Sequence, residues 1–500
     1  MRASREIAVG SKASSRRWIA PFSAGSMEQA GLLGGKGANL AELTALQAPV
    51  PPGFVITTEA CAAYAESGAL PDGLEEELKA SLQLLSDGQR RFGDTRAPLL
   101  LSVRSGAPTS MPGMMDTILN VGLNSESISS FAAWIGSEEV ARDCMSRLSE
   151  GFSASSGEAL PTDPFAQLTR SVEAVFDSWN SRRARLYRRY NKISDAGTAV
   201  VVQAMVFGNA PGASGTGVVF TRDPSSGEQR LFGEYLAGGQ GEDVVSGTLN
   251  VDDLQRLASE SPSAFRELEQ LAGLFERHFR DMCEIELTLE RGRLWILQVR
   301  GGQRSALAAV RVAVQLAEEG TISREEAIER VEAEAIEKLS APRLDKAGLD
   351  PASVLTRGTG SSPGLVTGRL VLSSREAVER AGAGERVILA CRETSPEDLD
   401  GMIACVGLLT STGGKTSHAA VVARGLGRTC VCGAREIELD RERDCLRVGE
   451  TTVRAGEIVS LDGDGGRVIR GEAPARVPEL PPEAGLLAAW REESVERSGR

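Results

Sequence analysis

The stretch Thr412-Gly-Gly-Lys-Thr-Ser-His-Ala-Ala-Val-Val-Ala-Arg424 constrains this chain more than any other. Before it lies the apolar run Val406-Gly-Leu-Leu-Thr410, short enough for a buried strand. After it, residues 419–423 are apolar and helix-favouring until Gly425 stops them. A strand must therefore turn through two glycines into a helix, with His418 in the first helical turn. Unpaired backbone N–H groups and the positive end of the helix dipole point at that place. They disfavour an imidazolium and favour an anion attached to the ring. A neutral imidazole is a nucleophile, and a phosphoryl group on it would be cradled by those N–H groups. A packing or capping histidine, with Thr416 or Ser417 as N-cap, is the alternative. The glycine pair, the two hydroxyls and the helix start together favour the chemical reading. Gly414-Lys415-Thr416 imitates the end of a Walker A loop, but Leu409 stands where that loop needs its first glycine.

Composition narrows the field of functions. A length of 500 residues suits about two to four domains, and 41% apolar residues supply real cores. A net charge of −13 argues against nucleic acid or an anionic membrane as a main partner, and 4% aromatics against a base-stacking platform. The eight cysteines are scattered; only Cys430 and Cys432 are close, and nothing completes a zinc site. They read as buried thiols of a reducing, cytoplasmic setting. No apolar run is long enough to span a membrane. Residues 1–17 are basic and Ser-rich and are expected to be a disordered leader.

Several upstream pieces suit a phosphoryl donor. Leu32-Leu-Gly-Gly-Lys-Gly-Ala-Asn39 is a Gly-rich turn entering a helix, where Lys36 can reach phosphates approached by backbone. Residues 99–107 read as a strand ending in Arg104, beside the small-residue loop 110–116, an arrangement suited to a phosphate clamp. Ser214-Gly-Thr-Gly217, with Gly215, Thr216 and Gly217, reads as a turn between strands, able to wrap a triphosphate as a backbone nest. Glu284, Glu286 and Thr288 alternate with apolar residues, and a second strand carries Gln298 and Arg300. This hairpin aims two carboxylates, an amide and a guanidinium at one region, a set suited to Mg²⁺ and phosphate. Ordinary surface roles explain each piece equally well in isolation. Residues 125–188 read as helical, broken near 153–157, with Arg182–Arg189 as a solvated face. His278, between Phe275 and Phe279, reads as structural.

The segment from Gly413 to Val431 resembles the phosphohistidine signature of the pyruvate, phosphate dikinase family, Gly-Gly-x-Thr-Ser-His-Ala-Ala-Val-Val-Ala-Arg-Gly-x-Gly-x-x-Cys-Val. Further motifs resemble that family's nucleotide-binding half and run in its order: Gly-Gly-Lys-Gly-Ala-Asn, Ser-Val-Arg-Ser-Gly-Ala, Ser-Met-Pro-Gly-Met-Met-Asp-Thr, Val-Gln-Ala-Met-Val-Phe-Gly-Asn and Gly-Glu-Asp-Val-Val. The resemblance implies a multidomain α/β chain. An ATP-grasp nucleotide-binding domain would span 18–342, a linker 343–359, a swivelling β/β/α phosphohistidine domain 360–474, and a spacer with one polar helix 475–500. It implies that Lys36, Arg104, Glu286, Gln298 and Arg300 contact ATP phosphates or their Mg²⁺, with Glu284 as a further metal ligand. Gln203 and Met205 would lie by the adenine, and His418 would carry the phosphoryl group. Thr416, two residues earlier, would be a regulatory site, since a phosphate there repels an incoming one. The stretch after Asn124 is shorter than in typical members, and Val299 with Gly301-Gly302 replaces the usual Thr and Asn-Gly around Arg300. In the full-length family the last helix leads into a (β/α)₈ barrel that binds pyruvate. This chain is therefore expected to perform the ATP and inorganic phosphate half-reactions, with pyruvate or another acceptor on a separate barrel protein, and with homo-oligomerisation open. Water in place of phosphate, as in phosphoenolpyruvate synthases, and a non-catalytic nucleotide-binding or phosphocarrier remnant are the other readings.

Overall fold

The computed structural model describes residues 17–498 apart from 86–88, 110, 112–113, 194–196, 242, 244–251, 333–338, 340–341 and 478. The leader read at 1–17 thus lies outside the described residues save for Arg17, as do three residues of the expected clamp loop. The chain is mixed α/β, with three large parts built on separate sheets.

The first sheet is antiparallel and joins β1 (Ile19–Pro21), β2 (Gly53–Ile56), β3 (Leu101–Gly106), β4 (Thr117–Val121) and β5 (Ala199–Ala204) in the order β1-β2-β5-β3-β4. The second, also antiparallel, joins β6 (Gly215–Phe220), β7 (Phe232–Ala237), β8 (Asp252–Asp253), β9 (Cys283–Glu290) and β10 (Arg293–Gly301) in the order β10-β9-β6-β7-β8. Helix Ala30–Ala45 is wedged between them. Leu33, Leu40 and Leu43 bury against Val201 of one sheet and Ile285 and Leu287 of the other. Gly34 breaks that helix with φ of 66°, and a Cβ there would fall 1.5 Å from the Gly106 carbonyl oxygen. Only glycine permits both, and the contact presses the turn before Lys36 against the strand that carries Arg104.

Four helices fill 128–190, the last three started by side-chain caps from Ser137, Asp163 and Ser181. The break expected at 153–157 falls at Gly157, in the left-handed conformation. The solvated reading of Arg182–Arg189 is corrected in part. Arg188 is buried, donates to the Trp179 carbonyl at 2.6 Å and stacks 3.9 Å from the Trp179 ring.

The third sheet contains β12 (Val354–Arg357), β13 (Thr359–Ser362), β14 (Leu365–Val371), β15 (Val387–Cys391), β16 (Gly407–Thr410), β17 (Thr429–Cys432), β21 (Ile458–Asp462) and β22 (Arg467–Arg470). A small antiparallel sheet, β18 (Ile437–Asp440), β19 (Cys445–Val448) and β20 (Thr451–Arg454), lies between β17 and β21 in the chain. Strands β14 to β17 run parallel, so the loops after β15 and β16 meet at one end. The segment 343–359, read as a linker, carries structure. Its last strand, β12, is the sheet's edge, and its first, β11 (Arg343–Leu344), pairs with β23 (Ala475–Arg476). The two chain crossings between the halves therefore run side by side. The last helix, Pro482–Ser498, is less polar in its setting than its composition suggests. Ala484, Leu487 and Trp490 are buried in the cluster formed by helix Ala306–Glu318.

Candidate functional site

A cavity of about 1030 Å³ opens between the first two sheets and is closed on one side by the third. Lys36, Arg104, Gln203, Met205, Thr216, Gly217, Glu286, Gln298 and Arg300 line it, and so does His418. Pairs far apart in sequence meet here because β5 inserts between β2 and β3.

Arg104 lies within β3 and not at its end, since the strand runs two residues further. Its Nη2 donates to Gln203 Oε1 at 2.5 Å and to the Leu297 carbonyl at 3.3 Å, while Nε is buried without a partner. Gln203 is tied in turn to the Pro51 carbonyl at 2.9 Å. Arg300 donates to Glu284 Oε1 at 2.5 Å, and its guanidinium lies 3.9 Å from Glu286. Burial pulls the Arg300 guanidinium down, but Glu284 and then Glu286 hold it above its usual range. Arg104 is lowered by burial, with Glu286 opposing. Lys36 is lowered to about 7, chiefly by burial and then by the Arg104 charge. Three basic side chains thus crowd one wall, with the Glu286 carboxylate nearby on the lining of the same cavity.

Two expectations are corrected. Gly215, Thr216 and Gly217 form no turn: they belong to β6, paired on both sides, and Thr216 Oγ1 donates to the Leu287 carbonyl at 3.0 Å. Their N–H groups are used by the sheet, so no nest forms. Glycine stands at 215 because a Cβ there would meet the Tyr235 hydroxyl at 2.2 Å. Glu284 is 2% exposed and faces Arg300, and it is absent from the cavity lining, unlike Glu286 and Gln298.

His418 is the first residue of helix His418–Gly425, with Ser417 as its N-cap. The Ser417 hydroxyl turns back to the Gly414 carbonyl at 2.8 Å and makes no cap bond. His418 is half-buried, and its Nε2 has no partner. Burial lowers its pKa against the opposing pull of Asp398 and Glu397, which keeps the imidazole neutral. Glu393, Thr394, Ser395 and Pro396, from the loop after β15, line the cavity beside it. By residue type Ser395 and Pro396 mark a helix start, and nothing local places them beside the histidine. The parallel pairing of β15 with β16 brings that loop next to the histidine loop.

Sequence reasoning missed Glu234. This β7 carboxylate, 9% exposed, accepts the Lys415 N–H at 2.6 Å, the Thr416 N–H at 3.0 Å and the Thr416 hydroxyl. A Cβ at Gly414 would fall 2.3 Å from Glu234 Oε1, so the second glycine of the motif makes room for this contact. Glu234 stands in one row across the sheet with Val218, Glu286 and Gln298. Its own segment, Phe232–Ala237, has no polar alternation that could have pointed to it. Arg183 reinforces the junction, bonded to Asp116 and 3.7 Å from Glu397. Met111, Met114 and Trp179 pack against Leu399, Met402 and Val422 across it. The other histidine, His278, bonds Glu42 at 2.7 Å and packs on Phe279.

Two sheets holding a cation-lined cavity against a separately built histidine sheet have counterparts among known families. The family model described as "Pyruvate phosphate dikinase, AMP/ATP-binding domain" matches residues 30–87 and 66–265. The one described as "PEP-utilising enzyme, mobile domain" matches residues 383–466. The chain thus carries a nucleotide-binding domain and a mobile domain of the types these models describe. It belongs to the pyruvate, phosphate dikinase family. It is 42% identical to the pyruvate, phosphate dikinase of Rhizobium meliloti (strain 1021), over 96% of this chain and 60% of that protein. With the Clostridium symbiosum enzyme the identity is 40%, over 95% and 60%. With the chloroplastic enzyme of Flaveria pringlei it is 40%, over 94% and 54%. The chain spans 60% or less of the length of these relatives.

Proposed function

We propose that this chain phosphorylates its own His418 from ATP and inorganic phosphate and hands the phosphoryl group to an acceptor. His418 Nε2 attacks the β-phosphorus of ATP, the bond to the α-phosphate oxygen breaks, and AMP leaves with that electron pair. Inorganic phosphate then attacks the outer phosphorus of the pyrophosphoryl-histidine, and pyrophosphate departs from the phosphoryl group retained on the ring. The observation that carries this reading is the unpartnered Nε2 of His418, whose burial favours the neutral imidazole, lining the same cavity as Lys36, Arg104 and Arg300. Fixed cations aimed at developing phosphoryl charge are the largest contribution a protein makes to such a transfer.

Mg²⁺ fits the donor set. Glu286 and Gln298 are cross-strand partners on the cavity wall, and one or two side chains suffice when phosphates supply the other oxygens. Among the described residues no group of three or more His, Cys, Asp or Glu offers an all-protein metal cage, which agrees with a metal that arrives with its nucleotide. When bound, Mg²⁺ would neutralise phosphate charge. Gln203 and Met205 would border the base, on the first sheet's side of the cavity. Pyruvate, on a separate barrel protein, is the acceptor we propose, and the eight free, buried cysteines suit a cytoplasmic setting. Phosphorylation of Thr416 would set a second anion against Glu234 and block docking, and the 3% exposure of Thr416 confines that modification to the undocked chain.

Incubation with β-labelled ATP, Mg²⁺ and phosphate tests the reading. Acid-labile label should appear on the protein together with free AMP and pyrophosphate, and should vanish in His418→Ala. AMP release with no pyrophosphate formed points to water as the second acceptor. No label on the wild-type chain rejects the reading in favour of a non-catalytic module.

A further inference from the structure

Arg424 lies in the same helix as His418 but has no part in the chemistry above. It is 7% exposed. One nitrogen, Nη1, donates to the Ser361 carbonyl at 2.8 Å, whereas Nε and Nη2 are buried without partners. Leaving two donors of a charged guanidinium unpaired in an interior is costly, so a compensating charge is required nearby. The guanidinium sits 6.0 Å from the centre of the Phe220 ring, on the far side of the domain junction. Phe220 is the direct cross-strand partner of Glu284, and Glu284 is the partner of Arg300. Arg300, Glu284 and Phe220 therefore form one row across the second sheet, pointing to one face, and Arg424 stands over the end of it. Glu284 is itself half satisfied: Oε1 holds Arg300, and Oε2 is buried with no partner. Two opposite charges, each only partly satisfied, thus face one region from the two sides of the junction. Burial lowers the Arg424 pKa, and Glu284 is the strongest charge opposing that shift.

We propose that Glu284 is a counter-ion shared between Arg300 of the cavity and Arg424 of the histidine-bearing domain, so that drawing Arg300 onto a phosphate strengthens the docking of His418. This rests on the reading of Arg300 as a phosphate ligand. When Arg300 turns to a phosphate, Glu284 loses its partner inside the sheet. Arg424 then supplies compensation that crosses the junction from the helix bearing the nucleophile. Arg424 is a positioning residue here, and it never touches the reacting atoms. The coupling must be reciprocal: whatever factor the phosphate adds to docking, docking adds to phosphate affinity.

The test uses the whole chain with Mg²⁺ and α,β-methylene ATP, which resists cleavage at the bond that breaks. Two readouts are needed: hydrogen exchange over residues 412–425 with and without the analogue, and analogue affinity by calorimetry. In the wild type the analogue should slow exchange by about fivefold or more, within the usual range of coupling between sites. Arg424→Met should lose most of that slowing and weaken analogue binding by the same factor, while Arg424→Lys keeps part of both. A role confined to holding the Ser361 carbonyl would speed exchange equally with and without analogue, and that result overturns the proposal. If Arg424→Met does not fold, Glu284→Gln serves in its place, since it removes the shared charge at constant size; undiminished analogue-linked slowing in that variant also overturns the proposal. A wild-type chain that does not bind the analogue, or an Arg300→Ala chain that binds it as tightly as the wild type, rejects the phosphate reading of Arg300 instead.

Discussion

The two walls of the cavity are built on opposite plans. On the nucleotide-binding side, Arg104 projects from β3, which is paired on both sides, and Arg300 from near the end of the edge strand β10, paired with β9, so regular ladders fix both. On the histidine side, the His418 ring begins a helix after an irregular loop, and that loop is held by a carboxylate belonging to the opposite wall. The first wall is rigid and electrostatically strained. The loop of the second wall is satisfied, but only while the domains touch. A carrier has to leave its loading site, so its fixing contacts belong at the junction and its costs belong where nothing moves.

The sharpest way to break the contrast is to remove a cation from the rigid wall. Arg104→Ala should slow labelling of His418 about 10²- to 10³-fold, the usual loss for a preorganised donor at developing charge. It should also free Gln203, so a rapid-quench rate measurement is to be paired with a melting curve that separates the two effects. Removing the clasp of the movable wall should cost less. Glu234→Ala should lower the labelling rate roughly 10- to 100-fold, since charge-assisted bonds to two N–H groups and a hydroxyl are lost. Nucleotide affinity should change less than the rate. If both fall equally, Glu234 supports the cavity as well as the dock.

A smaller effect sharpens the picture of the rigid wall. Lys36 titrates near 7 because burial and Arg104 push it down. A bound polyphosphate restores its charge. Binding at pH 8 should therefore take up about one proton, and affinity should weaken as pH rises through 7. Calorimetry in two buffers of different ionisation enthalpy reads this directly, and Lys36→Met should abolish the uptake.

Legibility in the sequence followed the range of the forces involved. The helix start at His418, the turn before Lys36 and the Glu284–Arg300 hairpin depend on neighbours, and their residues announce them. Gly215–Gly217 misled because glycine marks two different things. It serves turns, but it also yields space to a ring such as that of Tyr235 inside a sheet. Glu234 and Arg183 escaped because their partners lie 181 or more residues away in one case and 67 in the other. No periodicity of a single segment encodes such a meeting; the order of strands does.

One small pairing sets how the histidine can travel. Arg343 and Leu344, on the way in, lie antiparallel to Arg476 and Ala475, on the way out. Arg343 is also pinned to Asp464 at 2.7 Å. A leaf hung by two adjoining straps pivots about one line; hung at opposite corners it would only shear. On the function proposed above, a phosphoryl-bearing ring would be confined to an arc, and every acceptor it served would have to lie on that arc.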